Sequence, residues 1–138
     1  TWAGLLSAPM YRKWVLPAHQ AIIQGVRAKH PNTPILLFVK GSRGLLPLLA
    51  EAQPDGVSVD DTTPLADART ILGNELTLQG NLDPLALQLS NQNVLASLID
   101  DMLAQVGANR YVANLGHGVL PGTPVENVQL FVERVKQY

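Results

Sequence analysis

Cysteine is absent from this 138-residue sequence. That excludes a disulfide framework, a thiolate metal site and a cysteine nucleophile. Charge is scarce: Asp, Glu, Lys and Arg make up 15%, where roughly 25% is usual for a soluble domain. An excess of either sign is missing too, since 10 Lys and Arg oppose 11 Asp and Glu. The formal net charge of -1 gives no general attraction to nucleic acid or to an anionic membrane. No apolar run approaches the ~20 residues of a membrane span. The opening Thr1-Trp2-Ala3-Gly4 does not read as a secretory leader. Nucleic acid and membrane are therefore not expected as partners, and a cytoplasmic setting is expected. Disorder is excluded as well, because 46% of the residues are hydrophobic.

What is present fits one domain of ordinary size, able to bury roughly two thirds of its unfolded surface. The low charge suggests that part of the surface is covered by something else. The chain also opens on Thr1 and not on methionine. Together these point to a fragment or an obligate assembly.

Gly and Pro punctuate the chain at short intervals. Ser7 and Pro9 open a helix carrying Tyr11, Trp14, Val15, Ala18, Ile22 and Val26 at helical spacing. Pro17 predicts a break or kink near Leu16. Ile35 to Val39 is a continuous apolar run, too short for a helix, and reads as a strand buried on both faces. Strand and helix then alternate. Leu45 to Ala52 is a short helix, Val57 to Val59 a strand, and Pro64 to Leu72 a helix with a Thr cap and Gly73 at its end. Leu76 to Leu78 is a strand. Ser90 or Asn91 opens a helix with Val94, Leu95, Leu98, Ile99, Met102, Leu103 and Val106 on one face. Tyr111 to Ala113 is the last strand. Thr123, Pro124 and Glu126 form a capping-box start for the final helix, with Val125, Val128, Leu130 or Phe131, Val132 and Val135 as its apolar face.

One helix followed by four strand–helix pairs is an α/β pattern with a parallel sheet and right-handed crossovers. An open doubly wound sheet and half of a (β/α)8 barrel both fit. A whole barrel needs about 250 residues. A half barrel has two open sheet edges, a liability until covered, in keeping with the low charge.

The polar residues follow the strands. Lys40, Gly41, Ser42 and Arg43 come after the first, and Asp60 and Asp61 after the second. Gln79, Gly80, Asn81 and Asp83 come after the third, and Asn114, Gly116, His117 and Gly118 after the fourth. In parallel α/β folds these carboxyl ends form the ligand face. His117 reads as a ligand-binding residue or as a turn residue between two glycines. Adjacent strand residues point to opposite faces, so at most one of Asp60 and Asp61 faces a pocket, and a two-carboxylate glycosidase is disfavoured. Gly41 to Gly44 could cradle an anion but lacks a Walker pattern, and reads better as a plain loop. Lys40 could pair with Asp60 or meet a ligand. His19 and His30 are expected to face solvent, and Trp2 and Trp14 to pack. Three dispersed histidines without cysteine make a poor metal set.

Three segments, Thr1-Trp2-Ala3-Gly4-Leu5-Leu6-Ser7, Gln79-Gly80-Asn81-Leu82-Asp83-Pro84 and Asn114-Leu115-Gly116-His117-Gly118, stand in an order and spacing that resemble the uroporphyrinogen decarboxylase family. Leu16-Pro17, Lys40-Gly41 and Val59-Asp60 fall in register with it. The resemblance covers all of residues 1–138, as the C-terminal half of a single (β/α)8 barrel domain. It implies an enzyme of porphyrin and haem biosynthesis, commonly a homodimer. That enzyme removes carbon dioxide from the four acetate arms of uroporphyrinogen III to give coproporphyrinogen III, without metal or organic cofactor. Thr1 and His117 match the family's substrate-binding hydroxyl and histidine. Lys40, Asp60, Gln79, Asn81 and Asn114 are the expected pocket rim. The family's catalytic aspartate, its arginines and a tyrosine would precede Thr1, so this chain alone is expected to be inactive. The family often has an aromatic residue where Asp61 stands, and more Gly around Ser42-Arg43. Three other readings compete. A corrinoid-linked methyltransferase would need zinc held partly by Cys. A generic half barrel could bind phosphate at Gly80 and Gly116. A non-catalytic half barrel would self-associate through its edges.

Overall fold

The computed structural model describes residues 2–138; Thr1, with its expected substrate-binding role, lies outside the described residues. A short 3-10 turn (Ala3–Leu5) leads into α1 (Ala8–Met10), a π-helical turn (Tyr11–Val15) and α2 (Leu16–Lys29). Four strand–helix units follow. They are β1 (Leu36–Phe38) with α3 (Leu46–Glu51), β2 (Gly56–Ser58) with α4 (Leu65–Leu72), β3 (Thr77–Leu82) with α5 (Gln92–Ala104), and β4 (Tyr111–Leu115) with α6 (Val125–Gln137). All strand pairs are parallel and the sheet runs in sequence order, β1-β2-β3-β4. This is a partial (β/α)8 barrel. Among the described residues no helix is long and apolar enough to cross a membrane.

The core fills the space between the sheet and its helices. Val57, Val59 and Leu78 from the sheet side are fully buried with Leu46, Leu49, Leu65, Leu95 and Ile99 from the helices. Burying such side chains stabilises the layer by about 1.5–3 kcal/mol each. Among the described residues no second layer covers the opposite sheet face. Leu36 and Val112 are each 44% exposed there, and Phe38, Ser58, Gln79 and Val112 stand in one cross-strand row. The first strand is therefore not buried on both faces as expected: it is an edge strand whose inner side is open.

Local chemistry corrects several other expectations. Of the break or kink expected near Leu16, no break occurs, but the regular helix is interrupted by the π-turn that ends there. Pro17 cannot donate to the carbonyl four residues back, and the chain widens one turn earlier, with Leu16 N–H donating to Tyr11 O across the π-turn. Thr63 does not cap α4; its hydroxyl donates to Asp60 Oδ1 at 3.4 Å. The first amides of α4 go instead to Gln105 Oε1, from Leu65 N at 2.9 Å and Ala66 N at 3.4 Å. The capping box of α6 does not form either, because Thr123 donates to Leu120 O at 2.8 Å and the helix starts one residue late. On that helix Val125 and Val132 stay exposed, and the residue it buries is Asn127. Asn127 donates to Leu87 O at 2.9 Å and Leu89 O at 2.8 Å, holding the turn after β3. On α5, Asn91 is the cap, and Val94 and Leu98 lie exposed while Leu95, Ile99, Met102 and Leu103 are buried.

Candidate functional site

β3 and β4 run further than the hydrophobic pattern indicated, so Gln79, Asn81 and Asn114 are strand residues and not loop residues. Polar side chains on a strand normally signal its end, but the inner face of this sheet opens into a cavity. The cavity holds about 660 Å³ and is lined by Trp2, Leu36, Phe38, Ser58, Gln79, Asn114 and the Leu115–Val119 segment. Its floor is apolar at Leu36 and Phe38. Gln79 Nε2 donates to Ser58 Oγ at 3.3 Å, which ties two neighbouring strands across that floor. Tyr111, on the other face of β4, donates its hydroxyl to Gly80 O. Burial pushes that phenol well above the ordinary tyrosine range.

His117 is the focal polar group. It stands on the loop after β4, exposed to the cavity. Its ring centroid lies 6.2 Å from that of Trp2, tilted by 48°. Phe38 approaches it edge-on at 6.3 Å. Trp2 is therefore no packing residue: it is 61% exposed and walls the cavity opposite His117. Trp14 is 62% exposed and sits under the Lys13 ammonium, 4.9 Å from it. His30 is exposed as expected, whereas His19 is half-buried with Nδ1 2.8 Å from the Tyr11 hydroxyl. Burial pushes that hydroxyl up to about 12.

Of the expected rim residues, the structure brings Gln79, Asn114 and His117 into one cavity and keeps Lys40, Asp60 and Asn81 out of its lining. Lys40 pairs with Asp61 and not with Asp60. Asp60 is fully buried. One carboxylate oxygen accepts from Gly41 N and from Ser42 N at 3.3 Å; the other accepts from Thr62 N at 3.1 Å and Thr62 Oγ1 at 2.6 Å. The amides that might have cradled an external anion are thus taken by an internal one. Asn81 donates to Asp60 O at 2.7 Å and Thr63 O at 2.6 Å. It fastens the loop after β2 and faces a separate groove beside α5. Asp60 and Asp61 both follow the end of β2, so strand alternation does not govern them: neither lines this cavity, and Asp61 lines the separate groove beside α5.

Burial alone would raise the Asp60 pKa. The bonds from Thr62, Gly41 and Ser42 outweigh it and hold the carboxyl below the usual aspartate range. Its folded pKa is thus below its unfolded value of about 3.9. The stabilisation it supplies is present above that value and is lost as pH falls through the folded pKa. Asp60→Asn should accordingly melt lower than wild type near neutrality and lose less on acidification below about pH 4. Melting curves taken across that range check this; parallel pH profiles for the two proteins would contradict it.

Comparison with known proteins adds the following. The family model described as Uroporphyrinogen decarboxylase (URO-D) matches residues 1–138. The chain is 43% identical over 136 residues to the uroporphyrinogen decarboxylase of Gloeobacter violaceus, a match covering 99% of this chain and 39% of that protein. It is 44% identical over 137 residues to the uroporphyrinogen decarboxylase of Trichormus variabilis, with the same coverage. The chain thus spans about two fifths (39%) of the length of these curated relatives. Among solved structures, a methyltransferase from Methanosarcina mazei superposes with a TM-score of 0.82 at 22% identity, covering 99% of this chain and 39% of that one. At that identity the likeness shows the fold alone.

Proposed function

This chain belongs to the uroporphyrinogen decarboxylase family, and we propose that it supplies the C-terminal half of the barrel, residues 1–138, to a decarboxylase acting on uroporphyrinogen III. The observation that carries the reading is the Trp2–His117 cavity, built from two segments that the family resemblance had already singled out. A tetrapyrrole is a broad apolar ring system with polar N–H groups and a carboxylate fringe. Leu36, Phe38 and Trp2 offer apolar surface to the rings. Gln79, Asn114 and His117 offer hydrogen bonds to the polar groups, and the family resemblance adds the Thr1 hydroxyl as a further substrate-binding group.

In the reaction the bond between an acetate methylene and its carboxylate breaks, and carbon dioxide leaves. The electron pair moves into a pyrrole ring already protonated on carbon, so the substrate serves as its own electron sink. A proton added to the methylene then gives the methyl group, and the ring carbon releases its extra proton, so each acetate consumes one proton and the neutral pyrrole is restored. No organic cofactor or metal is required by this chemistry. Lys40 and Arg43 are the basic residues nearest this end of the sheet, and they are engaged by Asp61 and Asp67. The family resemblance assigns the groups that neutralise the eight substrate carboxylates, and the carboxylate that steadies the pyrrole cation, to residues preceding Thr1; the engagement of Lys40 and Arg43 agrees with that. Porphyrin and haem biosynthesis, a cytoplasmic setting and a homodimer are parts of the same reading.

Ligand-dependent melting of the full-length protein tests it under anaerobic conditions. Coproporphyrinogen III at about 100 times its Kd should stabilise by about 2.7 kcal/mol, while inorganic phosphate leaves the melting temperature unchanged. Stabilisation by phosphate alone would replace this reading with a phosphate-binding half barrel.

A further inference from the structure

Asp60 is the most heavily bonded buried side chain at the carboxyl end of the sheet, yet it touches nothing in the cavity. Its partners explain why it is there. The Gly41 and Ser42 amides it holds form the turn after β1. Among the described residues the buried Ser42 hydroxyl has no partner of its own, and the turn is held by its backbone bonds to Asp60. The segment carrying Trp2 lies directly on this turn. A Cβ at Gly4 would fall 2.6 Å from Gly41 O and 2.7 Å from Gly41 C, so the two backbones are in contact and Gly4 cannot shift inward. On the other side, the backbone of Asp61 is the surface on which Gly116 rests. A Cβ at Gly116 would fall 2.7 Å from Asp61 Cα. Gly116 is the residue before His117.

We propose that Asp60 is a positioning residue for the Trp2–His117 wall of the cavity. It acts through the Gly41–Ser42 turn beneath Gly4 and through Asp61 beneath Gly116. One buried carboxylate thereby registers the two segments, more than a hundred residues apart in the sequence, whose rings stand 6.2 Å from each other. The geometric part stands by itself, and the kinetic part rests on the decarboxylase reading.

The test uses the full-length protein and the His117 ring Cε1–H resonance, which the Trp2 and Phe38 rings displace from its free-imidazole position. Asp60→Asn keeps the side-chain shape but sets an NH2 against backbone donors. Leu103→Ala, on the buried face of α5, serves as a control that loses stability without touching either segment. In Asp60→Asn the resonance should lose at least half of its displacement, and KM for uroporphyrinogen should rise about tenfold with kcat changed far less. In Leu103→Ala neither should move. Should Asp60→Asn not fold, Thr62→Val removes one donor, an exposed one, and should move the resonance partway in the same direction. A resonance in these variants that stays where the control's does would overturn the proposal. A resonance that moves with KM unchanged supports the positioning role and counts against the substrate reading.

Discussion

On the proposed decarboxylase reading, replacing His117 with alanine in the full-length protein should lower kcat/KM by about tenfold to about a hundredfold, with the melting temperature almost unchanged. The two halves of that expectation have separate causes. His117 is exposed, and its structural neighbours are the faces and edges of Trp2 and Phe38 at 6.2 and 6.3 Å. Losing such contacts at an open cavity costs little folding free energy. A hydrogen bond from a positioned side chain to a charged substrate group is worth about 1.5–3 kcal/mol, which at 1.4 kcal/mol per decade gives the stated range. Steady-state kinetics beside a melting curve separates the two. Equal losses of activity and stability would mean that His117 is a turn residue, which is the other reading its two flanking glycines allowed.

Those glycines should respond oppositely to alanine. Gly116→Ala places a methyl against Asp61 backbone, which cannot rotate away as a side chain could. Gly116 N is also bonded to Leu82 O at 2.8 Å. Overpacking of this kind costs about 1–3 kcal/mol, and because the strain sits next to His117, activity should fall with it. At Gly118 an added methyl meets open space, and stability should stay within about 0.5 kcal/mol. Urea unfolding of the two variants reads the difference directly. Similar losses at both positions would mean that the loop after β4 is not seated on Asp61.

Much of this was legible in the sequence because the fold is an alternation. Ile35 to Val39, Val57 to Val59 and the helices between them follow from apolar runs and Gly–Pro punctuation, and parallel pairing follows from the crossovers. The ends of β3 and β4 were not legible. Gln79, Asn81 and Asn114 are polar, and polarity in a strand reads as its end unless one knows that the inner face opens to a cavity. The caps failed for a related reason. Thr63 and Thr123 have the right positions in sequence, but each hydroxyl donates to an acceptor in its own loop and accepts from no helix amide, and Gln105, forty residues away from Leu65, took over the capping of α4. Trp2 and Asp60 exchanged roles. The tryptophan expected to pack walls the site, and the aspartate expected at the rim is buried behind it. Residue type placed Asp60 at the rim and Trp2 in the packing; the backbone approaches at Gly4 and Gly116 are what the sequence could not give.

An anaerobic assay of the full-length protein with uroporphyrinogen III, with products separated by carboxylate number, reaches the function itself. The decarboxylase reading requires a ladder of products descending from eight carboxylates to four, and no descent with residues 1–138 alone. Substrate that keeps all eight carboxylates in the presence of the full-length protein would contradict it.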